Sequence, residues 1–271
     1  MTRDITGLAE IRTEFDAVLI DQFGVLHDGQ TQFPGTRECL EALAAEGVPV
    51  AALSNSGKRS SLNIARLERL GFSAALFRNV ITSGELGHDR IARLLAGGEL
   101  ARDTPVAVIS RDGDTSMIDG LSVRHVGLRE GPRLLILAAA EPETRTLESY
   151  LDELEPLAKA GVPALCINPD RHIYANGVAA FGPGMLAEHY QALGGTVEML
   201  GKPGIEMFRA GCATLGDGPA DRVLMIGDSH AHDIAGAAAA GCRTLLISSG
   251  VQAGTDHGVA EADFQMDRLR W

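Results

Sequence analysis

The strand-like runs of this chain are short and mostly apolar, at 17–21, 48–53, 80–83, 106–109, 134–137, 164–167, 197–200, 223–226 and 244–247. A run without polar alternation reads as a strand covered on both faces, as in a parallel sheet. Helical signals lie between the runs. Pro34 opens a helix that Gly47 ends, and a second, over 59–70, closes on Gly71. Another starts at Gly84, and Leu147, Leu151, Leu154 and Leu157 mark one face of a helix over 143–160. A stretch from Gly177 to Gly184 reads as a loop before a helix containing Leu186. A helix over 203–214 follows Lys202, and Asp233 opens an Ala-rich helix that ends at Gly241. Leu8, Ile11 and Phe15 predict a helical lead-in over 1–16. Strand and helix alternate throughout, which predicts an α/β fold built on a parallel sheet. The texture changes near Gly97-Gly98, and the middle third carries its own alternation. The expected division is a core of 1–96 and 186–271 with an inserted α/β module of 97–185.

Composition narrows the partners. Over 271 residues, 45% are hydrophobic, enough for a sizeable core. The net charge of −12 argues against nucleic acid and anionic membrane surfaces. No apolar run approaches a membrane span, and the first twelve residues hold no apolar leader segment. The four cysteines are scattered with no Cys-x-x-Cys pair, so free thiols in a reducing, cytoplasmic compartment are expected. Lys58, Lys159 and Lys202 are the only lysines, which gives weight to one at a motif position.

The chemistry gathers at strand ends. The first long run ends in Asp21, followed by Gly24, which permits a sharp turn. The second ends at Ser54-Asn55-Ser56-Gly57-Lys58, where a hydroxyl and N–H groups at a helix start suit phosphate oxygens. Gly201-Lys202-Pro203 places a cation before another helix, and Gly227-Asp228 with Asp233 supplies hard oxygens that suit Mg²⁺. A carboxylate attacking phosphorus meets charge repulsion, which a metal and a lysine offset. The product of that attack is an aspartyl-phosphate.

Asp21-x-x-Gly24, Ser54, Lys202-Pro203 and Gly227-Asp228 with Asp233, in this order, resemble motifs one to four of the haloacid dehalogenase (HAD) superfamily. The long insert and Asn168-Pro169-Asp170 before a Gly-rich loop resemble its subclass IIA branch, which includes p-nitrophenyl and nucleotide phosphatases. The resemblance implies a Rossmann-like core with an inserted α/β cap and Mg²⁺-dependent hydrolysis of a small phosphorylated metabolite. It implies Asp21 as nucleophile, and Ser54, Asn55 and Lys202 holding the phosphoryl group. Asp21, the Phe23 carbonyl and Asp228 would hold the metal, with Asp233 in support. Homodimers are common in the branch, and a homodimer is a further expectation.

One position departs from the pattern. The family's phosphatases carry a second Asp two residues after the nucleophile, to protonate the leaving alcohol; here that residue is Phe23. Asp28 and His27, in the loop just beyond, are the first candidates to replace it, ahead of Asp170, Arg171 and His172. Two rivals therefore stand beside the phosphatase: a HAD hydrolase that cleaves C–halogen or C–P bonds, and a phosphometabolite-binding protein that has lost turnover. His230 and His232 lie between the two motif-four acids, and are expected to face solvent or support the ligands rather than bind metal.

Overall fold

The apolar runs become the strands of two separate sheets in the computed structural model, which describes residues 2–175, 178–250 and 260–271. The chain begins with β1 (Arg3–Asp4), β2 (Ala17–Asp21), α1 (Thr36–Ala45), β3 (Val50–Ser54), α2 (Ser60–Arg69), β4 (Asn79–Thr82) and α3 (Ser83–Ala96). The middle third holds β5 (Thr104–Ile109), β6 (Val123–His125), β7 (Leu134–Leu137), α4 (Leu147–Lys159), β8 (Ala164–Cys166), β9 (His172–Ala175), β10 (Val178–Phe181), α5 (Pro183–Ala192) and β11 (Val197–Met199). The last third adds α6 (Ile205–Leu215), β12 (Val223–Gly227), α7 (Ala235–Ala239), β13 (Arg243–Ile247) and β14 (Phe264–Met266).

The chain divides into two compact units, one of 1–54, 61–81 and 202–271, the other of 55–60 and 82–201. The seven-stranded sheet has the order β1-β14-β13-β12-β2-β3-β4. All five residues of β2 and all five of β12 are buried, as expected of neighbouring strands in the middle of a covered sheet. They run parallel with Ile20 opposite Ile226, and β2 pairs with β3 with Asp21 opposite Leu53. This register brings Asp21, Ser54 and the residue after Gly227 to one carboxyl edge. The order of connection reverses there, between β2 and β12, which is where open α/β sheets bind ligands. Val18 and Ile20 enter a core with Leu40 and Leu43 of α1, while Leu19 faces Gly211 of α6. The alternation follows from the two-residue period of a strand.

The smaller unit has a five-stranded sheet, β11-β8-β7-β5-β6, with every pairing parallel, and an antiparallel β9–β10 hairpin. Leu135 and Leu137 pack with Leu154 of α4 and Leu186 and Tyr190 of α5. Leu134 and Ile136 pack with Ile91 of α3 and Met117. Thus each half of one apolar run covers a different face.

Three expectations change. Residues 82–96 and 186–201 cluster with the smaller unit, because Ile91 and Leu186 bury against its sheet; the expected boundaries at 97 and 185 fall inside it. The lead-in is only a tight helical turn over Leu8–Glu14, broken at Ile11 (φ −119°), with β1 before it paired to β14. Leu8, Ile11 and Phe15 are still fully buried, so the apolar pattern marked the core although the helix is short. The stretch read as a loop from Gly177 contains strand β10; Gly177 itself lies outside the described residues. Among the described residues, no helix is long and apolar enough to cross a membrane.

Candidate active site

Apolar β2 delivers Asp21 to the sheet edge, and neighbouring β12 delivers Asp228 one residue beyond its own end. Lys202 enters from the turn before α6. Its Nζ donates to Asp21 Oδ1 at 2.6 Å and to Asp233 Oδ1 at 2.7 Å, and its side chain is only 4% exposed. The other oxygen of Asp233 accepts the backbone N–H groups of Asp228 and Ser229, each at 3.1 Å. Asp233 therefore holds both the lysine and the turn that carries Asp228.

Carboxylate oxygens of Asp21, Asp228 and Asp233 lie within 4.8 Å of one another, and all three residues are buried. Three buried carboxylates face one ammonium, an excess of negative charge in a poorly solvated place. Burial pushes Asp21 up to about 7, against the pull of Lys202 and with Asp233 adding to the push. Burial also opposes the charge on Lys202, but Asp21 and Asp233 outweigh it and hold the ammonium above the ordinary lysine value. The donor set is all hard oxygen, and its charge excess is what a divalent cation would balance, so the residues fit such an ion. The backbone is shaped to this cluster. Gly24 has φ +92°, and a Cβ there would overlap the Asp228 carboxylate; one at Gly227 would overlap Asp233.

The structure thus brings together Asp21, Lys202, Asp228 and Asp233, with half-buried Ser54 at the end of the adjoining strand. Asn55 belongs to the smaller unit, where its amide is used within the protein. Asn55 Nδ2 donates to Asp170 Oδ1 at 2.8 Å, and Asn55 Oδ1 accepts from Ser83 Oγ at 3.3 Å. Phe23 sets the edge of its ring against His27, with centroids 6.2 Å apart.

The expected proton carriers are corrected. Asp28 is exposed, and its Oδ1 accepts from the N–H groups of Thr31 (2.7 Å) and Gln30 (2.8 Å), while Oδ2 accepts from Thr31 Oγ1 (3.1 Å). Those bonds, Thr31's first, hold its carboxyl below the usual range, so Asp28 braces its own loop as an anion and carries no proton to give a leaving group near neutral pH. His27 is buried and its Nδ1 accepts from the Gly29 N–H at 3.0 Å. Burial, with Arg66 adding to it, pushes His27 down to about 4, so the ring is neutral near pH 7. In the smaller unit Arg171 is paired with Glu188 at 2.8 Å and His172 is exposed on β9. His230 Nδ1 bonds the Ala260 carbonyl at 2.9 Å, and neither it nor His232 joins the carboxylate cluster. Sequence reasoning missed the part played by Ser229, whose N–H fixes Asp233; its place directly after Asp228 was the available signal.

Comparison with known proteins places this edge in a family. A model described as haloacid dehalogenase-like hydrolase matches residues 18–124, and one described as HAD-hydrolase-like matches 199–271. Human chronophin is 29% identical over 262 residues, covering 92% of this chain and 84% of that protein. Human glycerol-3-phosphate phosphatase is 26% identical over 265 residues, covering 88% of this chain and 80% of that protein. The crystal structure of a haloacid dehalogenase-like hydrolase from Brucella suis 1330 superposes with a TM-score of 0.87 at 27% identity, over 98% of this chain and 99% of that one. The chain belongs to the haloacid dehalogenase-like hydrolases, and is a hydrolase with the α/β fold of that family.

Proposed function

We propose that the chain hydrolyses a small phosphate monoester with Asp21 as nucleophile and Mg²⁺ as cofactor. The observation that carries this reading is the buried bridge from Lys202 to both Asp21 and Asp233, with Asp228 converging on the same point. Lys202 orients the Asp21 carboxylate through one oxygen and keeps a positive charge where the phosphoryl group arrives. Asp21 then attacks phosphorus, the ester P–O bond breaks and the alcohol departs, and water hydrolyses the resulting aspartyl-phosphate to release inorganic phosphate and restore the Asp21 carboxylate. Ser54, one strand away, offers its hydroxyl to a phosphoryl oxygen. Asp21, Asp228 and the Phe23 carbonyl would hold Mg²⁺, with Asp233 in support, and the ion would supply charge neutralisation between nucleophile and phosphate. The similarity to a glycerol-3-phosphate phosphatase supports a phosphorylated small molecule as substrate. The net charge of −12 keeps nucleic acid out of the reading, and a reducing cytoplasm suits the free cysteines. No proton-carrying role is proposed for Asp28.

The test is turnover of a panel of phosphate monoesters with Mg²⁺ and with EDTA. Asp21→Asn should lower kcat by at least ~10³ with the fold intact, in line with the loss of a covalent nucleophile. Full activity in that variant would sink the assignment.

One observation favours a second reading. Phe23 replaces the acid–base residue of the family's phosphatases, and neither Asp28 nor His27 is set to replace it. A binding protein for a phosphorylated metabolite would show micromolar binding of an ester to the Mg²⁺-loaded chain with no turnover at any pH.

A further inference from the structure

Cys212 and Cys242, thirty residues apart in sequence, meet in the larger unit with their sulfurs 3.7 Å apart. Cys212 lies on α6, and Cys242 directly follows the turn that ends α7. The four cysteines differ in exposure: Cys212 is half-buried, while Cys39, Cys166 and Cys242 are buried. We infer that Cys212 and Cys242 form a site of reversible oxidation, in which a peroxide-class oxidant converts the thiol pair to a disulfide.

Three features carry this. The sulfurs are already in contact at 3.7 Å, against a disulfide bond length of about 2.05 Å. Cys212 is open to a small oxidant, whereas Cys242 is shielded, which assigns attack to one sulfur and resolution to the other. The thiols also differ in acidity. The hydrogen bond from Cys242 lowers Cys212 to about 7, while that same bond, and then burial, raise Cys242 above its ordinary value. A thiolate is the form that reacts with peroxide. Burial pushes Cys39 and Cys166 up to about 12, and they serve as internal controls.

The chemistry balances. The Cys212 thiolate attacks one peroxide oxygen; the O–O bond breaks, hydroxide leaves, and Cys212 becomes a sulfenic acid. The Cys242 sulfur then attacks the Cys212 sulfur. The S–O bond breaks, and the departing hydroxide takes the Cys242 proton and leaves as water. Two thiols lose two electrons, and one peroxide is reduced to two waters overall. Cys212 sits on α6, which follows Lys202, and Cys242 on the short link from α7, which follows Asp233, to β13, so the bond would tie together elements behind the 2.7 Å bridge between those residues.

The test uses the full-length chain, first reduced and then treated with a small excess of hydrogen peroxide at pH 7. Peptide mapping should find Cys212 and Cys242 joined with the loss of two hydrogens, and dithiothreitol should restore both thiols. Before oxidation, Cys212 should alkylate at least ~10-fold faster than Cys39 and Cys166, as its higher thiolate fraction and exposure dictate. In Cys242→Ser the Cys212 sulfenic acid should be trapped by dimedone, since its resolving partner is gone. Cys212 oxidised to sulfinic acid in the wild-type chain with Cys242 still free, disulfides only between chains, or both thiols as inert as Cys39, would each overturn the inference. All readouts are covalent, so the result is independent of whether the chain is a phosphatase.

Discussion

The two parallel sheets obey the same physics and end differently. Both bury apolar strands between helices, and in both, successive residues of one run face opposite cores. In the smaller sheet, β7 runs into Ala138, Ala139 and Ala140, and β8 runs into Ile167. Those ends close in packing. In the larger sheet, β2 ends in Asp21 and β12 runs into Asp228, and a lysine meets the first of these carboxylates. A strand end is cheap to fill with an alanine and expensive to fill with a buried carboxylate. The larger sheet keeps two such groups at its strand ends, with Asp233 buried beside them in the following helical turn, so their presence reads as function rather than stability.

Removing the cation should break the contrast most severely. Lys202→Met leaves Asp21 and Asp233 buried without their partner, and should destabilise the fold by about 3–5 kcal/mol while abolishing turnover. Chemical denaturation would measure it, and a loss under 1 kcal/mol would mean the carboxylates find water instead. Next in size is the leaving-group effect of Phe23. Without an acid to protonate an alkoxide, p-nitrophenyl phosphate should turn over roughly 10²–10⁴ faster than an alkyl phosphate. Equal rates would reveal a proton carrier elsewhere.

A third effect sharpens the charge argument through pH. Asp21 rises from the ordinary 3.8 to about 7 on folding, so between those values the folded chain keeps a proton that the unfolded chain has lost. In the metal-free chain the Asp21 contribution to stability is therefore full below pH 4 and is lost as pH rises through 7. A bound cation favours the ionised form, so the rise in melting temperature on adding Mg²⁺ should grow from pH 5 to pH 8. A constant increment would place the ion away from Asp21. The smallest effect concerns the loop. Asp28→Asn keeps an oxygen for the Gln30 and Thr31 N–H groups, and should change kcat by less than ~3-fold, far below the loss expected for a general acid. A 100-fold loss would return Asp28 to the chemistry.

Strand runs and the order of the acidic, hydroxyl and lysine positions were legible in the residues, because an apolar run followed by a carboxylate needs no partner to be recognised; the departure at Phe23 was visible only against the motif of the resembled family. Tertiary structure alone decided who meets whom. The pairing of Lys202 with Asp21 spans 181 residues, and it exists because register sets β12 beside β2 and α6 against both β2 and β3. It likewise decided that Asn55 gives its amide to Asp170, that Asp28 turns its carboxylate into its own loop, and that helices α3 and α5 join the smaller sheet. Periodicity tells which face of an element is buried; which partner buries it depends on contacts between residues far apart in sequence.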